Sequence, residues 1–208
     1  ARFGADYIYY VSSWFTDTES FAKMWADSAA RDIGVSLYGG VAQTSAFWQM
    51  TGGKALGIVT SHMEPDIPIT EKTIPFFELA KKHNIPTQLH VHLAYADIYF
   101  FKAVIENAGG VDDINKLIDA MYTTETTYSL GTMAYESEKK KPYFHSKTRV
   151  NPNNPFESLP GVFYQGIAQY QEGGKRQYMG GSAPEHEEFW NQYGTPEDFV
   201  KPAELRKR

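Results

Sequence analysis

The sequence predicts an α/β protein in two pieces, each built on parallel strands flanked by helices. Three observations carry that prediction. Short β-branched and aromatic runs alternate with longer stretches whose apolar residues recur at helical spacing. Glycine pairs punctuate the alternation, at Gly39-Gly40, Gly52-Gly53, Gly109-Gly110 and Gly173-Gly174. The pattern is broken at His62-Met63-Glu64-Pro65-Asp66-Ile67-Pro68, where two prolines in four residues favour an extended crossing segment.

The first piece begins with Tyr7-Ile8-Tyr9-Tyr10-Val11, read as a buried parallel strand, with Ser12-Ser13-Trp14 as the loop at its C-terminal end. Thr16 followed by Glu19 has the form of a capping box. The helix it opens would place Phe21, Met24, Trp25 and Ser28 on one face and stop near Gly34. Val35 to Tyr38 is the next strand. A short helix from Gln43 to Met50 then leads to a third strand, Ala55 to Thr60.

After the break, Ile74, Phe77 and Ala80 mark the face of a helix ending near Asn84. Thr87 to Leu93 reads as a strand, and Tyr95 to Asn107 as a strongly apolar helix. Asp112 is expected to cap a helix carrying Ile114, Leu117, Ile118 and Met121. Thr123 to Pro160 looks irregular. Val162 to Tyr170 resumes as a strand, turns at Gly173-Gly174 and returns as Arg176 to Met179. From Ala183 the sequence is polar and reads as a tail with one or two short helices. The expected divisions are residues 1–63, 64–160, 161–182 and a tail at 183–208.

Composition excludes several functions. The formal charge of -5 and the lack of a long Lys/Arg run argue against a nucleic-acid partner; Lys139-Lys140-Lys141 follows Glu136 and Glu138 and reads as a solvated loop. There is no cysteine, which removes thiol catalysis, zinc–thiolate sites and disulfides together. No apolar stretch approaches the roughly 20 residues a membrane helix needs. Arg2-Phe3-Gly4-Ala5-Asp6 runs straight into a strand-like segment, so the chain is expected to begin inside a fold. The 14 Tyr and 13 Phe suit a site that recognises ligands by contact area.

Four segments, in order, resemble the leucine/isoleucine/valine-binding family, the type I periplasmic solute-binding proteins of ABC transporters. They are Ala5-Asp6-Tyr7-Ile8-Tyr9-Tyr10, Thr51-Gly52-Gly53-Lys54-Ala55-Leu56-Gly57-Ile58, Ala94-Tyr95-Ala96-Asp97 continuing to Gly109, and Gly166-Ile167-Ala168-Gln169-Tyr170-Gln171-Glu172-Gly173-Gly174-Lys175. The match is to the family's C-terminal half. The resemblance implies a bilobal receptor, periplasmic or extracellular, that closes on a small organic ligand and delivers it to a membrane permease. It further implies that the family's N-terminal half is supplied as upstream sequence, a second chain or a swapped copy. Residues 1–63 and 161–182 would then be second-lobe material and 64–160 first-lobe material. No cofactor and no catalytic residue is implied.

Ligands of open α/β sheets sit beyond the C-terminal ends of the strands. By the resemblance, Ser13 falls where relatives carry a ligand-contacting Tyr, and Trp14 beside it either supplies an aromatic wall or simply packs. Tyr38 lies on the next loop, where Gly40 replaces the acidic residue that meets an amino acid's ammonium. The expected ligand is therefore apolar, aromatic or carboxylate-bearing. His90 falls at an aromatic lining position. On a strand, His90 and His92 would point to one side, a spacing metal-dependent hydrolases use, although such sites need a third ligand. Two other functions thus stay open, a metal-dependent hydrolase and a ligand-sensing regulator with the same fold. Gly53-Lys54-Ala55 lacks the hydroxyl residue of a phosphate loop, and Glu185-His186-Glu187-Glu188 lacks the second histidine of a zinc-hydrolase helix.

Overall fold

Tyr7–Val11 forms strand β1, its aromatic and β-branched side chains suited to a pleated surface. Helix α1 (Thr18–Ala26), strand β2 (Gly34–Tyr38), helix α2 (Phe47–Met50) and strand β3 (Val59–His62) follow. Next come helices α3 (Thr73–Lys82), α4 (Leu89–Ala108) and α5 (Ile114–Thr123). Two strand pairs succeed them, β4 (Glu125–Tyr128) with β5 (Gly131–Ala134) and β6 (Val150–Asn151) with β7 (Asn154–Ser158). Last are β8 (Gly166–Tyr170), β9 (Arg176–Gly181), α6 (Glu187–Trp190) and α7 (Pro202–Leu205). The structure is a computed structural model, and it describes residues 4–13, 17–62, 67–85, 87, 89–134, 150–151, 154–158, 165–181 and 187–207.

The chain divides into two units. The first holds Ala1–Glu64, Gln165–Ser182 and Glu187–Arg208, and the second holds Pro65–Tyr164 with Ala183–His186.

The first unit is a five-stranded sheet in the order β1-β2-β3-β8-β9. β1, β2 and β3 are parallel, β8 is antiparallel to β3, and β9 is antiparallel to β8, so the sheet is mixed. Parallel neighbours need a crossover, which α1 supplies between β1 and β2 and α2 between β2 and β3. On one face Val35 and Leu37 pack with Tyr170 against Ala22 and Trp25 of α1 and Phe47 of α2. Fully burying a Leu or Phe is worth about 1.5–3 kcal/mol, so this face supplies most of the unit's cohesion. The Tyr170 hydroxyl, buried with its ring, donates to the Thr44 carbonyl at 3.1 Å.

Among the described residues, the opposite face is covered only toward the N-terminal ends of the parallel strands, and by residues expected to form a polar tail. Phe199 packs edge-on against Tyr7 with ring centres 6.4 Å apart. Gln169, fully buried, donates to the Gly57 and Val200 carbonyls at 3.0 and 2.7 Å and accepts from the Val200 amide at 3.1 Å. Trp190, Pro202 and Leu205 are buried too. Residues 187–207 are therefore part of this unit's packing. Their polar sequence hid that because so few of them bury.

Several elements differ from expectation for identifiable reasons. β1 is parallel but is an edge strand, with Tyr7, Tyr9 and Val11 exposed and only Ile8 and Tyr10 packed on the core. Helix α1 is capped by Asp17, which accepts from the Ser20 amide at 2.9 Å; Thr16 lies outside the described residues. It stops at Ala26, it buries Thr18 and Ala22 beside Trp25, and Met24 is exposed. The expected helix from Gln43 to Met50 is a 3-10 turn, Gly40–Gln43, followed by α2. Gly57, at φ +86°, delays the third strand to Val59. β8 starts at Gly166, and Val162 to Tyr164 lie outside the described residues.

In the second unit α4 packs Ala96, Phe100 and Val104 with Ala120 of α5 and with Tyr128, Leu130 and Met133 of the β4–β5 hairpin. Asp113, one residue beyond the expected Asp112, caps α5 by accepting from the Asn115 and Lys116 amides at 3.0 and 3.3 Å. Ile114 and Ile118 remain exposed. Helix α3 buries Thr73, Phe76 and Ala80, a face turned away from Ile74. Thr73 is a structural link, donating to the Ser129 carbonyl at 2.7 Å. The stretch from Thr123 to Pro160, expected to be irregular, contains two antiparallel strand pairs. Thr87 to Leu93 is not a strand, because α4 begins at Leu89.

Candidate functional site

The three parallel strands of the first unit end at Val11, Tyr38 and His62. The first two ends are tied together. The Ser12 amide donates to the Tyr38 carbonyl at 2.9 Å, one step beyond the Val11–Tyr38 pair. Gly39 sits at φ +106°, where a side chain would collide with the Ser12 carbonyl. Only glycine accommodates both the left-handed backbone and that approach. The loop carrying Ser13 thus runs beside the one carrying Gly40, and Gly40 opens the 3-10 turn that follows.

Below this rim the uncovered part of the sheet holds a notch of about 230 Å3. Its origin is in the strand alternation, since every second residue points to the same face. Tyr9 stands opposite Ser36, and Ser61 stands opposite Ile167. Tyr38, half-exposed, lies one step past the Leu37–Thr60 pair and so falls in line with Ser61. Two serines among Tyr9, Tyr38 and Ile167 leave a hollow, and Gln165 closes one side. None of the described residues that line it is acidic or basic. The Ser61 hydroxyl accepts from the buried Gln43 amide at 2.6 Å.

The sequence-predicted positions are distributed as follows. Ser13, Tyr38 and Gly40 share the rim of the first unit, with Ser13 exposed. Trp14 lies outside the described residues. His90 is in the first turn of α4, in the second unit, with His92. On a helix, positions two apart are about 200° apart around the axis, so the shared side expected of the two histidines disappears. Tyr9, Ser36, Ser61, Gln165 and Ile167 went unnoticed. Their signal was present in the parity of the strands, where small residues at 36 and 61 interrupt large ones.

Two histidines are buried and held neutral. His62, at the end of β3, is pushed well below the ordinary imidazole range by burial first and by the Arg176 charge second. Its Nδ1 lies 3.3 Å from the Arg176 guanidinium, which can only donate, so the ring proton sits on Nε2. His92 is pushed down to about 4 by burial. Its Nδ1 is 2.8 Å from the Ser129 hydroxyl and its ring lies on Phe76 at 4.1 Å. Both rings are packed in their respective units. Among the described residues, no group of three His, Asp or Glu is placed to hold a metal ion.

No family model matches the sequence, and no curated protein matches it. Solved structures do match. A leucine-binding protein, LivK, of Thermotoga maritima superimposes with a TM-score of 0.56 at 13% identity, over 88% of this chain and 46% of its own. A putative branched-chain amino acid ABC transporter protein of Silicibacter pomeroyi gives 0.56 at 16%, over 84% of this chain and 44% of its own. The chain spans less than half the length of either. No helix among the described residues is long and apolar enough to cross a membrane. Over that span, the α/β architecture with its mixed sheet and flanking helices is the fold of the type I periplasmic solute-binding proteins.

Proposed function

We propose that the chain is part of an extracytoplasmic solute-binding protein that captures a small organic molecule for an ABC-type permease. The observation that supports this most is the likeness in fold, over more than four-fifths of the chain, to a leucine-binding protein and a branched-chain amino acid ABC transporter protein. The rim at Ser13, Tyr38 and Gly40 fits the reading, since it lies where α/β folds bind ligands. Binding involves no covalent step, and no residue is assigned a catalytic role.

Further polypeptide would have a place to attach. Among the described residues β1 is paired on one side only, and the sheet's outer face is bare beside it. Sheets of this kind are ordinarily covered on both faces, and open edges recruit strands. An N-terminal half of the receptor, in the same chain, a second chain or a swapped copy, is the proposed occupant.

An amino-acid ligand is disfavoured by Gly40, which offers no charge to an ammonium, and a buried ammonium needs one. Apolar, aromatic or carboxylate-bearing solutes are preferred. Calorimetry on the full-length protein against leucine, valine, phenol and benzoate tests this. The expected result is binding of an aromatic solute at least tenfold tighter than leucine. Selective, tight binding of leucine or valine would show the counter-charge to be supplied elsewhere and overturn the ligand assignment.

A further inference from the structure

His62, the last residue of β3, is placed so that its ring can hold one proton and not two. We infer that His62 is an acid-sensitive switch: the end of β3 stays packed against β8 and β9 only while that ring is neutral. This goes beyond the solute-binding reading and does not depend on it.

The ring's burial is complete and owes nothing to further polypeptide. Strand alternation puts His62 on the same face as Thr60, whose hydroxyl donates to the Ala42 carbonyl at 2.8 Å on the covered side of the sheet. The ring is 0% exposed and stands edge-on to Tyr170, with centres 5.5 Å apart. Its main chain pairs with Gly166 of β8.

Both ring nitrogens suit the neutral form alone. Nδ1 accepts from the Arg176 guanidinium at 3.3 Å, and a proton there would set donor against donor and cation against cation. Nε2 already carries the ring's proton and is buried without a partner, so it offers an added charge nothing. The groups on the neighbouring elements do not help. β9 supplies Arg176, and β8 supplies the phenol of Tyr170, whose hydroxyl is turned to the Thr44 carbonyl. The 3-10 turn Gly40–Gln43 and α2 carry no charged residue. Burial first and the Arg176 charge second hold the ring neutral. His92 in the second unit differs, because its Nδ1 meets the Ser129 hydroxyl, which can accept as well as donate.

Linkage fixes the sign of the response. An unfolded histidine takes its proton near pH 6.5, and the folded His62 only well below that. The stability supplied by the neutral ring is therefore whole above pH 6.5 and is lost as the pH falls. One pH unit lower, the unfolding equilibrium constant rises about tenfold.

Tryptophan fluorescence isolates the first unit, because Trp14, Trp25, Trp48 and Trp190 all belong to it and His62 is its one histidine. Urea unfolding of the full chain is followed between about pH 7.5 and 5.5, above the ordinary carboxylate range. The unfolding constant is expected to rise about tenfold, starting near pH 6.5. His62→Gln, whose amide oxygen can accept from Arg176 and takes no proton, is expected to hold the constant within about twofold across that window. His62→Phe keeps a ring against Tyr170 and gives the same readout if the glutamine variant does not fold. A change below about twofold in the parent chain, or a tenfold rise that persists in either variant, overturns the switch.

Discussion

The two faces of the first unit's sheet are made by the same strands and have opposite fates. On one, Val35 and Leu37 are fully buried under α1 and α2. On the other, one residue along in each direction, Ser36 and Tyr38 meet a hollow and Tyr9 is 67% exposed. A strand whose two faces are both rich in apolar or aromatic groups belongs in the middle of a three-layer structure. Among the described residues one layer is complete, and the other is present only where Phe199 and Val200 cover the N-terminal ends of the strands. The second unit repeats the lesson on a helix. α4 buries Ala96, Phe100 and Val104 but exposes Ile98, Phe101 and Ile105 on another side. Helices apolar all round are made to be enclosed.

Substitutions on the two faces should separate them. Leu37→Ala removes a fully buried side chain from the covered face and is expected to cost about 3 kcal/mol, read from urea unfolding. A cost below about 1 kcal/mol would mean that this face is not the core. Gly39→Ala acts at the rim where the faces meet. The left-handed backbone and the Ser12 carbonyl both resist a side chain, and about 1–3 kcal/mol is expected, with ligand affinity lowered in the same variant. A neutral Gly39→Ala would show that the two loops are not held together as described. Tyr9→Ala is the smallest effect and the most discriminating. On a polypeptide of these 208 residues it should change stability by less than about 0.5 kcal/mol. In the longer receptor proposed above, where a covering layer would bury the ring, the same substitution should cost several times more. Equal costs in both would remove the case for a missing layer.

Much of the fold was legible because certain residues constrain it locally. Val35 to Tyr38 is a short apolar run closed by a glycine that nothing else could replace, and it is β2. The turn at Gly173 takes φ +71° and joins β8 to β9 as expected. The errors arose where local signals are degenerate. Leu89-His90-Val91-His92-Leu93 is an apolar run that a buried strand or a helix accepts equally, and its length alone does not arbitrate. It became helix because it continues Tyr95 to Ala108 without a break. The β4–β5 hairpin was concealed by threonines, although Gly131 at φ +140° marks its turn. Of the candidate site, the loop positions Ser13 and Gly40 came from the resemblance, and Tyr38 from its place at the C-terminal end of a strand. Strand parity marks the small residues of the notch, but the notch itself depends on which residues stand side by side across four strands.

Gln169 fastens residues 187–207 to the sheet by imitating main chain. Its carboxamide has the donors and acceptor of a peptide group, and it uses them on Gly57 and on both polar groups of Val200, with Gln171 adding a further donor at 3.2 Å. A single side chain thereby extends the hydrogen-bond lattice outward by one further row, at right angles to the strands' own pairing. The partner segment contributes only backbone at that point, so its own sequence is free to drift. The glutamine is not, because glutamate of the same shape has no protons to give and leucine has neither half of the pattern. A distant part of the chain is thus addressed through one amide, and the address is written on the sheet, not on the segment that answers to it.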